Sequence, residues 1–152
     1  MLPRYHIIYG FFFSLLLLLL FPQLSPLDGL IILLSTILID FDHYLVGVFR
    51  NKNLSLSKAF KMFDYMREHY GLNHRRDIKT PIMFLHLGEV QLLLLFLSFF
   101  YTPLFLVLIG FLFHLLLDFI EAVRLGVIPQ RDYFLIQRVI RKLFFVDNYK
   151  YI

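Results

Sequence analysis

Four apolar stretches, at about residues 7–22, 27–46, 81–100 and 103–122, dominate this chain and limit what it can fold into. A bilayer-spanning helix needs roughly 17–25 mostly apolar residues. The last two stretches have that length. The first, in which residues 15–20 are all leucine, and the second, which runs into Asp40, Asp42 and His43, are marginal unless their polar ends sit near the headgroups. The chain is 59% hydrophobic and 17% charged, with a mean hydropathy of +0.72. Soluble domains have about 45–50% apolar and about 25% charged residues, so too little polar surface remains here to coat a soluble globule. With 152 residues, the chain reads as one membrane domain over 1–152. Cysteine is absent, which removes disulfides, thiolate metal sites and cysteine nucleophiles.

Local signals mark the boundaries. Thr80-Pro81 and Thr102-Pro103 each read as an N-cap followed by proline at the first helical position. Pro22 and Pro26 turn the chain between the first two stretches. Short connections make each pair of stretches an antiparallel hairpin. Between the pairs, residues 50–80 hold an amphipathic helix capped by Ser57 and stopped by Gly71, with Ala59, Phe60, Phe63, Met66 and Tyr70 on one face. A second amphipathic helix is expected at about 133–145 in a tail over 130–152, with Arg138, Arg141 and Lys142 on its polar side. The predicted fold is thus all-α: four transmembrane helices, a central cytoplasmic amphipathic helix and a C-terminal one.

Charge sets the orientation. All fifteen Lys and Arg lie at the N-terminus, in residues 50–79 or in residues 124–150, and the two opposite loops have only Asp28. The positive-inside rule then puts both termini in the cytoplasm, in a prokaryotic-type plasma membrane. The net charge of +4 follows from this bias, and no nucleic-acid partner is expected. A secretory leader is the competing reading of the first stretch, but no small-x-small cleavage site follows Leu20.

On this topology the polar residues within the apolar stretches gather at the cytoplasmic side. His6 begins the first span; Asp40, Asp42 and His43 end the second. His86 and Glu89 lie in the first turns of the third, and His114, Asp118 and Glu121 in the last turns of the fourth. At about 1.5 Å per helical residue, His86 lies roughly 8 Å in from Pro81, and Asp118 and His114 lie roughly 8 Å and 14 Å in from Val123. His114 and Asp118, at i and i+4, share one helix face. Ionisable groups within hydrocarbon are costly and commonly mark function. A divalent metal offsets that cost, and this donor set suits Zn, with Mn or Fe as alternatives. His6, Asp40, Asp42, His43, His86, His114 and Asp118 are the candidate ligands. Plainer readings exist for single members: an interhelical hydrogen bond for His114 and Asp118, a helix cap or an Arg4 pair for Asp40 or Asp42, and an interfacial acid beside Arg124 for Glu121. His69 reads as exposed.

An N-terminal His6, Asp40-Phe41-Asp42-His43 closing an apolar segment, a central His74-Arg75 and His114-x-x-x-Asp118 in a late apolar helix together resemble the YdjM-like membrane-bound metal-dependent hydrolases. That family is remotely similar to the zinc-dependent phospholipase C and single-strand nuclease superfamily. The resemblance covers most of the chain. It departs where Arg76 replaces the glycine of a His-Arg-Gly motif and where the next histidine, His86, comes 12 positions after His74. It implies a hydrolase at the cytoplasmic membrane surface, with one or more divalent ions and a phosphoester or phospholipid headgroup as substrate. Glu89 and Asp42 are then the candidate catalytic groups, and His74, Arg75 and Arg76 the candidate substrate-binding groups. A metal-binding protein for transport, sensing or structure is the alternative. Transport favours polar residues across the whole membrane, and the outer halves of the spans offer only Ser14, Ser35, Gln91 and Ser98.

The orientation is tested on this cysteine-free chain by placing one cysteine in residues 23–25. It should label from outside intact cells with an impermeant maleimide; labelling only after permeabilisation would invert the topology.

Overall fold

The computed structural model describes residues 3–66, 68–69, 78–128, 131–144 and 150–151. Among the described residues there are seven α-helices: α1 (Pro3–Leu20), α2 (Pro26–Leu38), α3 (Phe41–Asn51), α4 (Leu56–Met66), α5 (Gly88–Ser98), α6 (Pro103–Leu125) and α7 (Leu135–Phe144). A 3-10 turn at Phe84–His86 precedes α5, and a two-residue strand, Ile78–Lys79, pairs in parallel with Lys150–Tyr151. Two helical stretches, Pro26–Asn51 and Pro103–Leu125, are long and apolar enough to cross a membrane. Arg4–Leu20 and Gly88–Ser98 are apolar but shorter.

Helices α1, α2 and α6 pack together, α5 packs on α6, and α4 packs on α3. The α2–α6 contact is closest at Gly110, where a Cβ would lie 2.6 Å from the Ile32 carbonyl oxygen and 2.7 Å from the Ser35 Cβ. Thr36 lies buried in this contact, its hydroxyl donating to the carbonyls of Ile32 (2.9 Å) and Gly110 (3.3 Å). Phe13 of α1 stacks on Phe113 of α6 with ring centroids 3.9 Å apart.

Several boundaries match local chemistry. The Ser25 hydroxyl and the Asp28 carboxylate form a reciprocal capping box at the start of α2. Proline opens α6 as expected, although the Thr102 side chain makes no cap hydrogen bond, and Gly126 ends the helix in the left-handed conformation. Helix α4 starts at Leu56 with the Ser55 hydroxyl accepting from Lys58 N–H, so Ser55 rather than Ser57 caps it. Gly71, its expected stop, lies outside the described residues. Its Ala59 packs against Gly47 of α3, so α4 covers the helix bundle.

Two departures matter for the site. The second apolar stretch breaks into α2 and α3 at Ile39 and Asp40, where the Asp40 N–H donates to Ile37 and the Asp40 carbonyl accepts from His43. These i→i+3 bonds tighten the chain where aspartate, a weak helix former, is inserted. The third stretch is not helical from Pro81: residues 81–83 are irregular, and α5 begins only at Gly88. Side chains capture the backbone here, because Asp42 accepts from Leu85 N–H at 2.9 Å and Gln91 donates to the Leu85 carbonyl at 2.7 Å. The 11 residues of α5 rise about 16 Å, short of a hydrocarbon core of about 30 Å.

The Gly110 contact yields a stability prediction. Gly110→Ala sets a methyl against backbone atoms, which cannot retreat, and should cost about 1–3 kcal/mol. Gly29→Ala meets the flexible Leu18 side chain instead and should cost less. Melting both variants in detergent checks the order; equal Tm values would refute it.

Candidate metal centre

The α2–α3 break, the 3-10 turn, α1 and α6 bring four histidines and three aspartates together: His6, Asp40, Asp42, His43, His86, His114 and Asp118. Two groups are close enough for shared coordination, each with one donor atom per residue within 4.8 Å of the others: His6, His114 and Asp118, all buried, and Asp40, His43 and His86, half-buried. The groups meet at His114, whose Nε2 lies 3.4 Å from Asp40 Oδ1 and 3.3 Å from His86 Nε2. The His6 and His114 rings stack at 3.8 Å.

Hydrogen-bond partners assign the tautomers of two rings. His114 Nδ1 is 2.8 Å from the Thr36 carbonyl oxygen. A carbonyl only accepts, so Nδ1 carries the proton, and Nε2 of the neutral ring carries a lone pair. His86 Nδ1 is 3.1 Å from Asp42 Oδ2 and donates to it, which leaves His86 Nε2 as an acceptor too. Asp40 Oδ1 stands 3.7 Å from His86 Nε2. Three electron-rich atoms therefore face one another at 3.3, 3.4 and 3.7 Å. Acceptors at that range repel unless a cation or proton lies among them. Donors of a tetrahedral ion with bonds of 2.0–2.2 Å are about 3.3–3.6 Å apart; two of the separations lie in that range and the third, 3.7 Å, is just beyond it, a spacing a divalent ion can close.

Asp42 holds the arrangement from behind. Its Oδ2 accepts from Leu85 N–H and His86 Nδ1, and its Oδ1 lies 3.0 Å from His43 Nδ1. A carboxylate on the far ring nitrogen is the usual partner of a metal-binding histidine. On the other side, Asp118 Oδ2 accepts from Arg131 Nη1 at 2.7 Å, while Asp118 Oδ1 comes within 3.4 Å of His6 Nε2. Apart from this Asp118 contact, neither nitrogen of the buried His6 ring has a hydrogen-bond partner among the described residues. A cation on Nε2 relieves the cost of so weakly satisfied a buried imidazole. Desolvation opposes the charge on Arg131, but the Asp118 carboxylate outweighs it and holds the guanidinium above its ordinary value.

Not every expected residue reaches the cluster. Glu89 faces α7, where its Oε1 accepts from the Ile136 N–H and caps that helix. With α5 beginning at Gly88, His86 and Glu89 do not share a helix face, so Glu89 does not stand beside the donors as a base would. His69 is exposed and stacks on Tyr65. His74, Arg75 and Arg76 lie outside the described residues. Arg131, Thr36 and Gln91 are contributors that motif spacing did not single out. Arg131 carries a signal only as a lone cation beside the polar end of a long apolar helix, and Thr36 acts through its carbonyl, which has no side-chain signature.

A cavity of about 670 Å³ opens on the cluster, with Asp40, His43, His86, Asp118 and Arg131 in its lining. In the same lining, Asp132 is bonded by Arg138 (2.8 Å) and Arg141, with Lys79 Nζ at 3.6 Å. Burial pushes the Asp132 carboxyl up, but these cations outweigh burial and hold it below the ordinary carboxylate range. No protein-family model, curated protein or solved structure matches the chain.

The Asp132 group predicts a pH dependence. A lowered folded-state pKa contributes stability above the unfolded value of about 3.9 and loses it as pH falls through the folded value. Asp132→Asn removes the carboxylate that Lys79, Arg138 and Arg141 share and should cost roughly 1.5–3 kcal/mol near neutral pH. The Tm gap between wild type and variant should narrow as the buffer is taken from pH 6 to pH 3; a constant gap would refute the pairing.

Proposed function

We propose that this protein is a membrane-embedded, metal-dependent hydrolase that cleaves a phosphoester at the cytoplasmic surface. The carrying observation is the convergence of His86 Nε2, His114 Nε2 and Asp40 Oδ1 at 3.3–3.7 Å, with the far nitrogen of each ring already committed to an acceptor. These three atoms are the first set of ligands. His6 and Asp118 extend it toward a second ion. Four spans with both termini inside remain the topological reading. It is supported by the one-sided Lys and Arg and by outward apolar side chains on the shorter helices, such as Leu19 and Phe96.

A bound divalent cation supplies Lewis acidity and lowers the pKa of water. This chain's own residues arrange the rest. Asp42 orients His43 and His86 through their Nδ1 atoms. His43 lines the cavity, and with Nδ1 donating to Asp42 its Nε2 is an acceptor. His43 Nε2 takes a proton from the attacking water as the hydroxyl oxygen bonds to phosphorus. It returns that proton to the leaving oxygen as the old phosphorus–oxygen bond breaks. Glu89 has no part in this scheme, because it caps α7. The resemblance to the YdjM-like hydrolases agrees with this reading and supplies the phosphoester as substrate class.

Purified protein should hold divalent metal in stoichiometric amount by elemental analysis, and His114→Ala and Asp40→Ala should lose it. Asp42→Asn should keep the ligands but bind about 10–100-fold more weakly. Hydrolysis of a soluble nitrophenyl phosphodiester should vanish on chelation and in His43→Gln. Metal that survives both alanine substitutions would remove the site. Metal binding without turnover of any phosphoester would leave a metal-binding membrane protein instead.

A further inference from the structure

The cavity is amphiphilic, and its apolar part reaches the outer surface. Its inner end holds Asp40, His86 and Asp118. On α6, Leu115, Asp118 and Ala122 form the inner wall at i, i+3 and i+7, and Leu112, Leu116 and Phe119 form the adjacent outer stripe at i, i+4 and i+7. Leu92 of α5 stands opposite in the same lining. These outer residues are exposed as well as lining: Leu92 by 61%, Leu112 by 49%, Leu116 by 52% and Phe119 by 45%. The cavity is therefore a side-facing groove whose rim is continuous with the apolar outer surfaces of α5 and α6. From Leu112 to Leu125, both in the lining, α6 rises about 20 Å.

We propose that the groove holds the hydrocarbon tail of a lipid phosphoester, which enters sideways from the bilayer between α5 and α6. The proposal rests on the hydrolase reading for the headgroup end and narrows it to tailed substrates. What favours a tail is that these lipid-facing side chains are also in the cavity lining, so the apolar part of the cavity opens toward the bilayer and not only toward water. Among the described residues, the lining carboxylates outnumber the cations, of which Arg131 is one. An anionic headgroup is thus repelled until the donors hold a cation, while the tail is attracted throughout. Tail binding and metal binding are separable on these grounds.

The test uses the full chain in detergent, loaded with zinc. Two probes share one nitrophenyl phosphodiester headgroup, one with a sixteen-carbon chain and one with a methyl group. Wild type should favour the long-chain probe at least tenfold in kcat/KM. Leu116→Trp, which narrows the rim, should cut that ratio at least fivefold, while Leu34→Trp, on the outer face of α2, should leave it intact. Equal kcat/KM for the two probes, or an unchanged ratio in Leu116→Trp, would overturn the groove. If neither probe turns over, the hydrolase reading fails, and the groove is decided by crosslinking. A phosphatidylglycerol with a diazirine near the chain end should label residues 112–119 in wild type and lose that label in Leu116→Trp. Labelling spread evenly over all outward helix faces would refute it.

Discussion

The close crossing of α2 and α6 is the contact on which the rest depends. With glycine at position 110 and the Thr36 hydroxyl bonding both helices, the backbones come near enough for His114 to reach the Thr36 carbonyl. That single hydrogen bond ties the buried ring to α2, places its proton on Nδ1 and turns the Nε2 lone pair toward Asp40 and His86. A longer side chain at 110 would part the helices and also release the tautomer. Packing and chemistry are therefore one problem at this crossing.

Asp42 has the complementary role on the other side. Its carboxylate accepts from Leu85 N–H and His86 Nδ1 and lies beside His43 Nδ1. It thereby draws residues 84–86 out of the helix that their apolar character favours. A buried carboxylate is stable only when its lone pairs are occupied, and this one fills them from a backbone turn and two rings. The delayed start of α5 and the position of His86 are two consequences of that requirement.

Much of the centre was legible from spacing. His114 and Asp118 at i and i+4 had to share a face, and Asp40, Asp42 and His43 had to lie within about a turn of each other. His6 joined them because charge bias put its end of α1 on the same side. Glu89 was grouped with His86 by extending helical spacing back to Pro81, through residues the structure shows as irregular and then a 3-10 turn. Arg131 and the Thr36 carbonyl were illegible for a different reason. One acts across 13 residues through a loop and the other through the backbone, and neither leaves a periodic trace.

Local chemistry alone determined the predominantly helical character, several helix boundaries such as the proline start of α6, the apolar content and the residue types able to hold a metal. Each depends on neighbours within a few positions, which the chain carries in order. Tertiary structure alone decided which of those polar groups share a centre, which ring nitrogen faces inward, and that Asp42 orients while Asp40 points its oxygen at the two Nε2 atoms. Those outcomes depend on distances between helices far apart in the chain, and burial makes each unsatisfied lone pair costly enough to select one arrangement.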